Sequence, residues 1–409
     1  MIERIVVIND SSVAKGGATG LSLASALAFR KRGLAVTLLT GDAGQNSELD
    51  EAGVEVVALG QDRLLSSPMH KVLFSALYNG SAKDMVAGWI ARNDTPGTVY
   101  HLHGWAQILS PAVFQALKPV SSRLMLSAHD FFLVCPNGAY AFLNNGAVCQ
   151  LTPMSAACVR ANCDRRSYAH KLWRVARQSV RQSLFDFRRE APPVLAIHEA
   201  MRPFLVRGGI PDAAVRTVPN PVRPFLTERA QAERNREFLF IGRLEDGKGP
   251  DLAAAAARRA GVPLRIIGDG PMHAALERDY PEVIFAGRRS FEEIGPLAAQ
   301  ARALVMPSRY PEPYGLVAAE ALWSGLPVIA ADTAFLAPDI VAAGAGFSAP
   351  PRDEQALAEA MTRLKDDDLA RQMSIAAFER TRGIGLSPDA WTSALLAAYE
   401  ERLALRAAA

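Results

Sequence analysis

The sequence predicts an α/β protein built from two Rossmann-like, doubly wound domains, and three observations carry that reading. Short Val/Ile/Leu-rich runs alternate with longer Ala/Leu-rich segments of helical period, the pattern of a parallel sheet flanked by helices. The alternation comes in two series, separated by a stretch rich first in proline and then in charge. A chain of 409 residues is long for a single core and suits two.

Composition narrows the class. With 49% hydrophobic and 21% charged residues the chain is ordinary for a globular protein, which excludes disordered and fibrous classes. A net charge of only +3 gives no basic excess, so no nucleic-acid partner is expected. No apolar run reaches the roughly 18 residues of a membrane-spanning helix. The opening "MIERIVVIND" sets an acid in a strand-like run and lacks a signal-peptide layout, so a cytoplasmic location is expected.

In chain order, "RIVVIND", "AVTLLTG", "VEVVAL", "TVYHLHG", "RLMLSAHD" and "PVLAIHE" read as the first series of strands. Between the last two, "RRSYAHKLWRVARQSVRQSLFDFRRE" repeats Leu172, Val175, Val180, Leu184 and Phe187 at nearly helical spacing. Arg and Lys fill its other faces, which predicts a basic amphipathic helix. Such a helix could rest on an anionic membrane surface or bind a lipid-linked diphosphate, or simply be a domain helix with a solvated basic side. The boundary falls in "TVPNPVRPFLTERAQAERNRE", giving domains 1–220 and 221–386. The second series is "EFLFIGRL", "PLRIIGDG", "VIFAGR", "ALVMPS" and "PVIAAD". The final helix, residues 387–407, could close either domain. Ligands of such sheets bind at the carboxyl ends of the strands, here expected to face a cleft.

The densest chemistry lies in "RYPEPYGLVAAEALWSGLPV". A strand ends before it, and helical pattern begins at about Gly315. Free N–H groups at Gly315, Leu316 and Val317, with the helix dipole, make an anion site suited to phosphate. Glu320, one turn along, leans back toward that N-terminus and could accept two hydrogen bonds from a ribose diol. Glu312, on the loop before the helix, would lie where a sugar joined to the phosphate sits. The bland alternative is an acid serving the helix dipole and a surface Glu. In "FIGRLEDGKG", Gly242, Arg243 and Lys248 form a post-strand loop that could set two cations over a diphosphate. Arg288, in "FAGRRS", ends the next strand but one, near where a base could sit.

In this order and spacing, "FIGRLEDGKG", "IIGDGP" and "PSRYPEPYGLVAAEALWSGLPVIA" resemble the donor half of the family-4 retaining glycosyltransferases of the GT-B fold. The match runs roughly from Glu237 to Ala349, and its most specific element is the Glu-x7-Glu pair. The resemblance implies that Glu312 contacts the donor sugar, Glu320 holds the ribose, and Arg243 and Lys248 hold the diphosphate, without a catalytic metal. One departure is "ADTAFLAPDIVAAG", where relatives often carry a Gly-containing turn and a Glu and Asp339 stands nearest here.

The first half matches more loosely, through "NDSSVAKGGATG", "LSAHD" and "AIHEAMRPFLVRGGIPDAAVRTVPNPV". Gly16 and Gly17 open a loop too long for a dinucleotide fingerprint and suited to close approach of a sugar phosphate or an acceptor. The resemblance implies that His129, followed by Asp130 at a strand end, contacts the transferred sugar. His101 and His103 are expected to be structural or acceptor-side. All four cysteines, Cys135, Cys149, Cys158 and Cys163, crowd into one short stretch. A cytoplasmic setting disfavours two stable disulfides, so four thiolates on one structural zinc are expected, against free or paired thiols; no C-x-x-C pair supports it.

The expected function is therefore transfer of a hexose from a nucleotide diphosphate sugar, UDP- or GDP-linked, to a hydroxyl acceptor with retention. By analogy the acceptor is a glycan or lipid-linked intermediate of surface polysaccharide synthesis, handled at the inner face of the membrane. A nicotinamide-dependent dehydrogenase, with Asp42 as ribose ligand, competes but lacks G-x-G-x-x-G. A catalytically silent nucleotide-sugar binding protein is the third reading.

Overall fold

The computed structural model describes residues 1–14, 16–62 and 75–407. Lys15, inside the "NDSSVAKGGATG" motif, lies outside the described residues. The chain divides into two compact units, residues 1–144, 149–218 and 389–409 in the first and residues 145–148 and 219–388 in the second.

The first unit holds a seven-stranded parallel sheet. Its strands are β1 (Arg4–Asn9), β2 (Ala35–Thr40), β3 (Glu55–Ala58), β4 (Thr98–Leu102), β5 (Leu124–Ala128), β6 (Val194–Ala196) and β7 (Val215–Thr217). Their order, β3-β2-β1-β4-β5-β6-β7, puts the topological switch between β1 and β4. β4 is buried at every residue, which is why "TVYHL" reads as a continuous run rather than an alternation. The three-residue β7 was not visible in the sequence, because so short a strand at a sheet edge shows no periodicity. The last helix, Pro388–Ala407, contributes Tyr399 to this unit, fully buried against Phe29 with ring centroids 5.6 Å apart.

The second unit repeats the plan with β8 (Glu237–Ile241), β9 (Leu264–Ile267), β10 (Ile284–Gly287), β11 (Ala301–Met306), β12 (Val328–Ala331) and β13 (Gly346–Ala349), all parallel. Their order is β10-β9-β8-β11-β12-β13, with the switch between β8 and β11. The helix Pro250–Ala260 turns Ala253, Ala254, Ala256 and Ala257 into the core, small residues that let it lie close on Phe238, Phe240 and Ile266. It ends where Gly261 takes a left-handed conformation (φ +61°), which a Cβ would strain. Among the described residues no helix is long and apolar enough to cross a membrane.

The helix Tyr168–Leu184 corrects the expectation of a basic solvated face. Lys171, Arg177, Gln178 and Arg181 are its buried residues, while Leu172 is 42% and Tyr168 39% exposed. Of the apolar positions, Leu172 faces outward and Val175, Val180 and Leu184 are only half-buried. Arg177 packs its guanidinium over the rings of Trp105, Phe132 and Trp173 and donates to the Ala106 carbonyl, so aromatic faces and a backbone acceptor compensate for its burial. Phe187 belongs to the next short helix, Phe187–Glu190, and is buried there. These buried cations supply no contact for an anionic surface.

Candidate active site

In the second unit the candidate residues gather at the carboxyl ends of β8 and β11, on either side of the switch. The loop after β8 carries Gly242, Arg243 and Lys248; the loop after β11 carries Glu312 and leads into the helix Leu316–Trp323. Lys248 Nζ lies 2.6 Å from Glu312 Oε2, and Ser308 Oγ donates to the same oxygen at 3.2 Å. Burial works against the Glu312 charge, yet Lys248, Ser308 and the more distant Arg243 together hold its carboxyl below the ordinary value. Sequence reasoning placed Lys248 and Glu312 on separate parts of a ligand; the structure makes them one ion pair.

Arg309 is what aligns the two loops, and sequence reasoning missed its role. It is 7% exposed, reaches Asp251 with two nitrogens, one at 2.6 Å, and donates to the Asp246 carbonyl at 2.7 Å. Its own N–H bonds the Gly247 carbonyl at 2.9 Å. The available signal was an arginine just past a strand end, with an aspartate in the first turn of the helix Pro250–Ala260 to receive its planar fork.

Gly315 caps the helix Leu316–Trp323 in the left-handed region, φ +78°, with no side-chain capping hydrogen bond among the described residues. A Cβ there would come within 3.0 Å of the Met306 thioether. Leu316 and Val317 follow as the first helical residues, both half-buried. Glu320 sits one turn on, also half-buried, and burial pushes its carboxyl up to about 8 against the opposing charge of Arg223. Arg243 is exposed and paired with Glu245 at 2.8 Å, Arg288 is exposed after β10, and Asp339 is exposed in the first turn of the helix Ala337–Ala342.

In the first unit, Gly16 and Gly17 begin the helix Gly17–Lys31. A Cβ at Gly16 would meet nothing within 4 Å among the described residues, and its backbone is extended, so neither their packing nor strain requires glycine there. Asp10, just after β1, accepts from the N–H groups of Gln107, Ile108 and Leu109 at 2.8 Å each and so fixes the loop after β4. Asp42 is already engaged by its own loop: Ser11 Oγ at 2.6 Å, the Ser12 N–H at 2.8 Å and Thr40 Oγ1 at 2.9 Å. Burial opposes its charge, but these donors hold the carboxyl below its usual value. The acid that the nicotinamide reading needed for a ribose is thereby occupied.

His101, His103 and His129 form one chain of imidazoles. Tyr399 Oη lies 2.6 Å from His101 Nδ1, His101 Nδ1 lies 3.1 Å from His103 Nε2, and His103 Nδ1 lies 3.0 Å from His129 Nε2. Ser127 Oγ meets His101 Nε2 at 2.9 Å. Burial lowers all three, His101 to about 3 and His129 to about 4, so each is a neutral ring with one N–H. Whichever way the hydrogen bonds run, the end of the chain is His129 Nδ1, buried and without a partner among the described residues. Beside it burial pushes Asp130 up to about 6. The sequence singled out His129 and treated the other two as background; the structure couples them.

The cysteines are free thiols, three buried and Cys149 half-buried. Lys171 Nζ stands 3.3 Å from Cys163 Sγ and 3.5 Å from Cys158 Sγ. Among the described residues no three His, Cys, Asp or Glu side chains are arranged to hold a metal ion.

These geometries can be set beside known proteins. Residues 225–380 match the family model of the glycosyl transferases, group 1. The match covers both loops around the Lys248–Glu312 pair and the helix bearing Glu320. Mycobacterium tuberculosis glycogen synthase is 35% identical over 147 residues, which is 33% of this chain and 35% of that protein. The Escherichia coli O-antigen chain mannosyltransferase C is 32% identical over 141 residues, 32% of this chain and 37% of that protein. The likeness thus spans about a third of these relatives. Sucrose-phosphate synthase from Thermosynechococcus elongatus superposes over 100% of both chains with a TM-score of 0.72 at 19% identity. Anabaena HepE, solved with UDP, covers 97% of this chain at TM-score 0.64 and 16% identity. The chain has the α/β GT-B fold of two Rossmann-like units.

Proposed function

We propose that the protein is a retaining hexosyltransferase that uses a UDP- or GDP-sugar and glycosylates a hydroxyl of a glycan or lipid-linked acceptor in surface polysaccharide synthesis. The observation that carries this reading is the Lys248–Glu312 ion pair beside the uncapped helix N-terminus at Gly315, at the switch between β8 and β11. The helix N–H groups at Gly315, Leu316 and Val317 receive the diphosphate, with Lys248, Arg243 and the Gly242 loop beside it. Glu320 takes the ribose, Glu312 the sugar, and Arg288 lies toward the base. The second-half family match supports the donor class, and relatives matched there include nucleotide-sugar enzymes by name. In the first unit His129 offers its buried, unpaired Nδ1 to a substrate hydroxyl, and the space around Gly16 leaves room for close approach.

In this reaction the C1–O bond to the diphosphate breaks as the acceptor oxygen bonds C1 from the same face. The acceptor proton passes to a diphosphate oxygen. Lys248 and Arg243 stabilise the charge that collects on the leaving diphosphate; no metal is needed in this scheme. The direct test is transfer from UDP-, GDP- and ADP-sugars, screened first by thermal stabilisation. A chain that is stabilised by none of them and hydrolyses none sinks the reading.

The two glutamates should fail differently. Glu320→Gln removes a contact present equally in ground and transition states and should raise KM for the donor with little change in kcat. Glu312→Gln should lower kcat more than KM, because its contact strengthens as charge develops near C1. Steady-state kinetics of the purified variants separates the two, and near-normal constants in both would remove the assignment.

Glu320 also makes binding pH-dependent. Its folded carboxyl is raised from the ordinary 4.5 to about 8, so its contribution to stability is greatest below about 4.5 and is lost as pH climbs through 8. Ribose hydroxyls donating to the carboxylate favour the ionised form and pull that value down. Nucleotide binding should therefore release a proton and tighten with rising pH in this window. Titration calorimetry in buffers of different ionisation enthalpy reads the proton directly, and Glu320→Gln should abolish this share of it.

A further inference from the structure

Tyr399, Ser127 and the three histidines meet in one hydrogen-bonded run, and the placement of its protons decides which way it points. His101 and His103, two residues apart on and just past β4, share a face, as do Ser127 and His129 on and just past the neighbouring β5. Tyr399 closes the run from the last helix. Burial keeps the three rings and the phenol uncharged, so each imidazole carries one N–H and one bare nitrogen, and Tyr399 carries one O–H.

Pairing a hydrogen with a lone pair at each histidine–histidine contact leaves two directions. In the first, Tyr399 Oη–H and His103 Nε2–H both point at a bare His101 Nδ1, His129 Nε2–H points at a bare His103 Nδ1, and His129 Nδ1 is bare. In the second, His101 Nδ1–H points at His103 Nε2, His103 Nδ1–H points at His129 Nε2, and His129 Nδ1 carries a hydrogen. Ser127 Oγ, 2.9 Å from His101 Nε2, suits both, because a hydroxyl turns to accept or donate. The second direction strands two buried hydrogens. His129 Nδ1–H finds no acceptor among the described residues, and the Tyr399 hydroxyl faces, at 2.6 Å, a His101 nitrogen that already carries a hydrogen. The first strands neither; it asks only that His101 Nδ1 accept twice, at 2.6 Å from Tyr399 and 3.1 Å from His103. Buried donors left without an acceptor are rarer than acceptors left short.

We infer that Tyr399 sets the tautomer of His129: its hydroxyl, through His101 and His103, holds the His129 hydrogen on Nε2 and leaves Nδ1 as a lone-pair acceptor for substrate. Tyr399 is a positioning residue and touches no substrate. On the glycosyl-transfer reading, on which this part rests, a sugar or acceptor hydroxyl donates its hydrogen to Nδ1. A hydroxyl, or the water that any opening for it also admits, can accept as well as donate, so it would satisfy either tautomer of His129. Tyr399 alone then distinguishes the two directions, which is why removing one distant O–H changes a nitrogen it does not touch.

The test is nitrogen-15 NMR of the full ligand-free chain, with histidine rings labelled and His129 assigned by the signals that vanish in His129→Gln. In the wild type His129 should show a pyrrole-type Nε2 and a pyridine-type Nδ1. Tyr399→Phe keeps the ring against Phe29 and loses only the hydroxyl, so its melting temperature should change little while His129 becomes a mixture of both tautomers. With the best donor its kcat/KM should fall by the fraction remaining in the acceptor form, about two- to tenfold. A wild-type His129 with its hydrogen on Nδ1 overturns the direction, and that measurement needs no variant at Tyr399. An unchanged His129 tautomer in Tyr399→Phe overturns the role of Tyr399, and a lowered melting temperature beside it identifies packing alone. A mixed tautomer with unchanged kcat/KM overturns the link to substrate. Failure of the glycosyl-transfer reading itself would show as no donor turnover in the wild type, whereas the tautomers are read without substrate.

Discussion

Lys248→Ala should lower kcat/KM for the nucleotide sugar by about a hundred- to a thousandfold, the loss typical of removing one donor from developing negative charge. Two effects add in this variant. On the proposed reading the diphosphate loses a cation, and Glu312 is left as a half-buried carboxylate without its 2.6 Å partner. The double variant Lys248→Ala/Glu312→Gln, set against Glu312→Gln alone, distinguishes them. If Lys248 only neutralised Glu312, the double variant would be no slower than Glu312→Gln; if Lys248 faces the diphosphate, it is slower still. Single-turnover transfer with the best donor is the measurement, and a double variant as fast as Glu312→Gln would end the proposed role of Lys248.

The second large effect is acid sensitivity of the histidine chain. Burial lowers His101, His103 and His129 below the ordinary 6.5, so the stability they contribute is complete above that value and is lost as pH falls toward 4. Each imidazole that takes a proton only on unfolding costs about 1.4 kcal/mol per pH unit in this window. Asp10 and Asp130 work in the opposite sense, since burial raises both and the folded chain holds their protons more readily. The clean readout is therefore a difference: melting temperature against pH for the wild type and for His129→Gln. The variant should show a shallower decline between pH 6.5 and 4, and parallel curves would show that His129 is not held neutral by its burial.

What the sequence determined by itself is local and periodic. Buried parallel strands force continuous apolar runs, so all but the edge strands β7 and β13 were visible, and the two-sheet class followed from their repetition. Glu312, Gly315 and Glu320 were legible because a strand end, a loop and a helix start fall within one short stretch. The sheet topology then brings Lys248 to Glu312, 64 positions apart, and this pairing only the tertiary structure could decide. The same holds for Arg309 on Asp251 and for the run Tyr399–His101–His103–His129, whose ends lie far apart in sequence. The helix Tyr168–Leu184 shows the limit most plainly. Its period was correctly read, but which face turns inward depends on partners such as the rings of Trp105 and Phe132 and the sulfurs of Cys158 and Cys163, which make burial of Arg177 and Lys171 tolerable. Periodicity fixes a stripe on a helix; only the surface it packs against decides whether that stripe faces water.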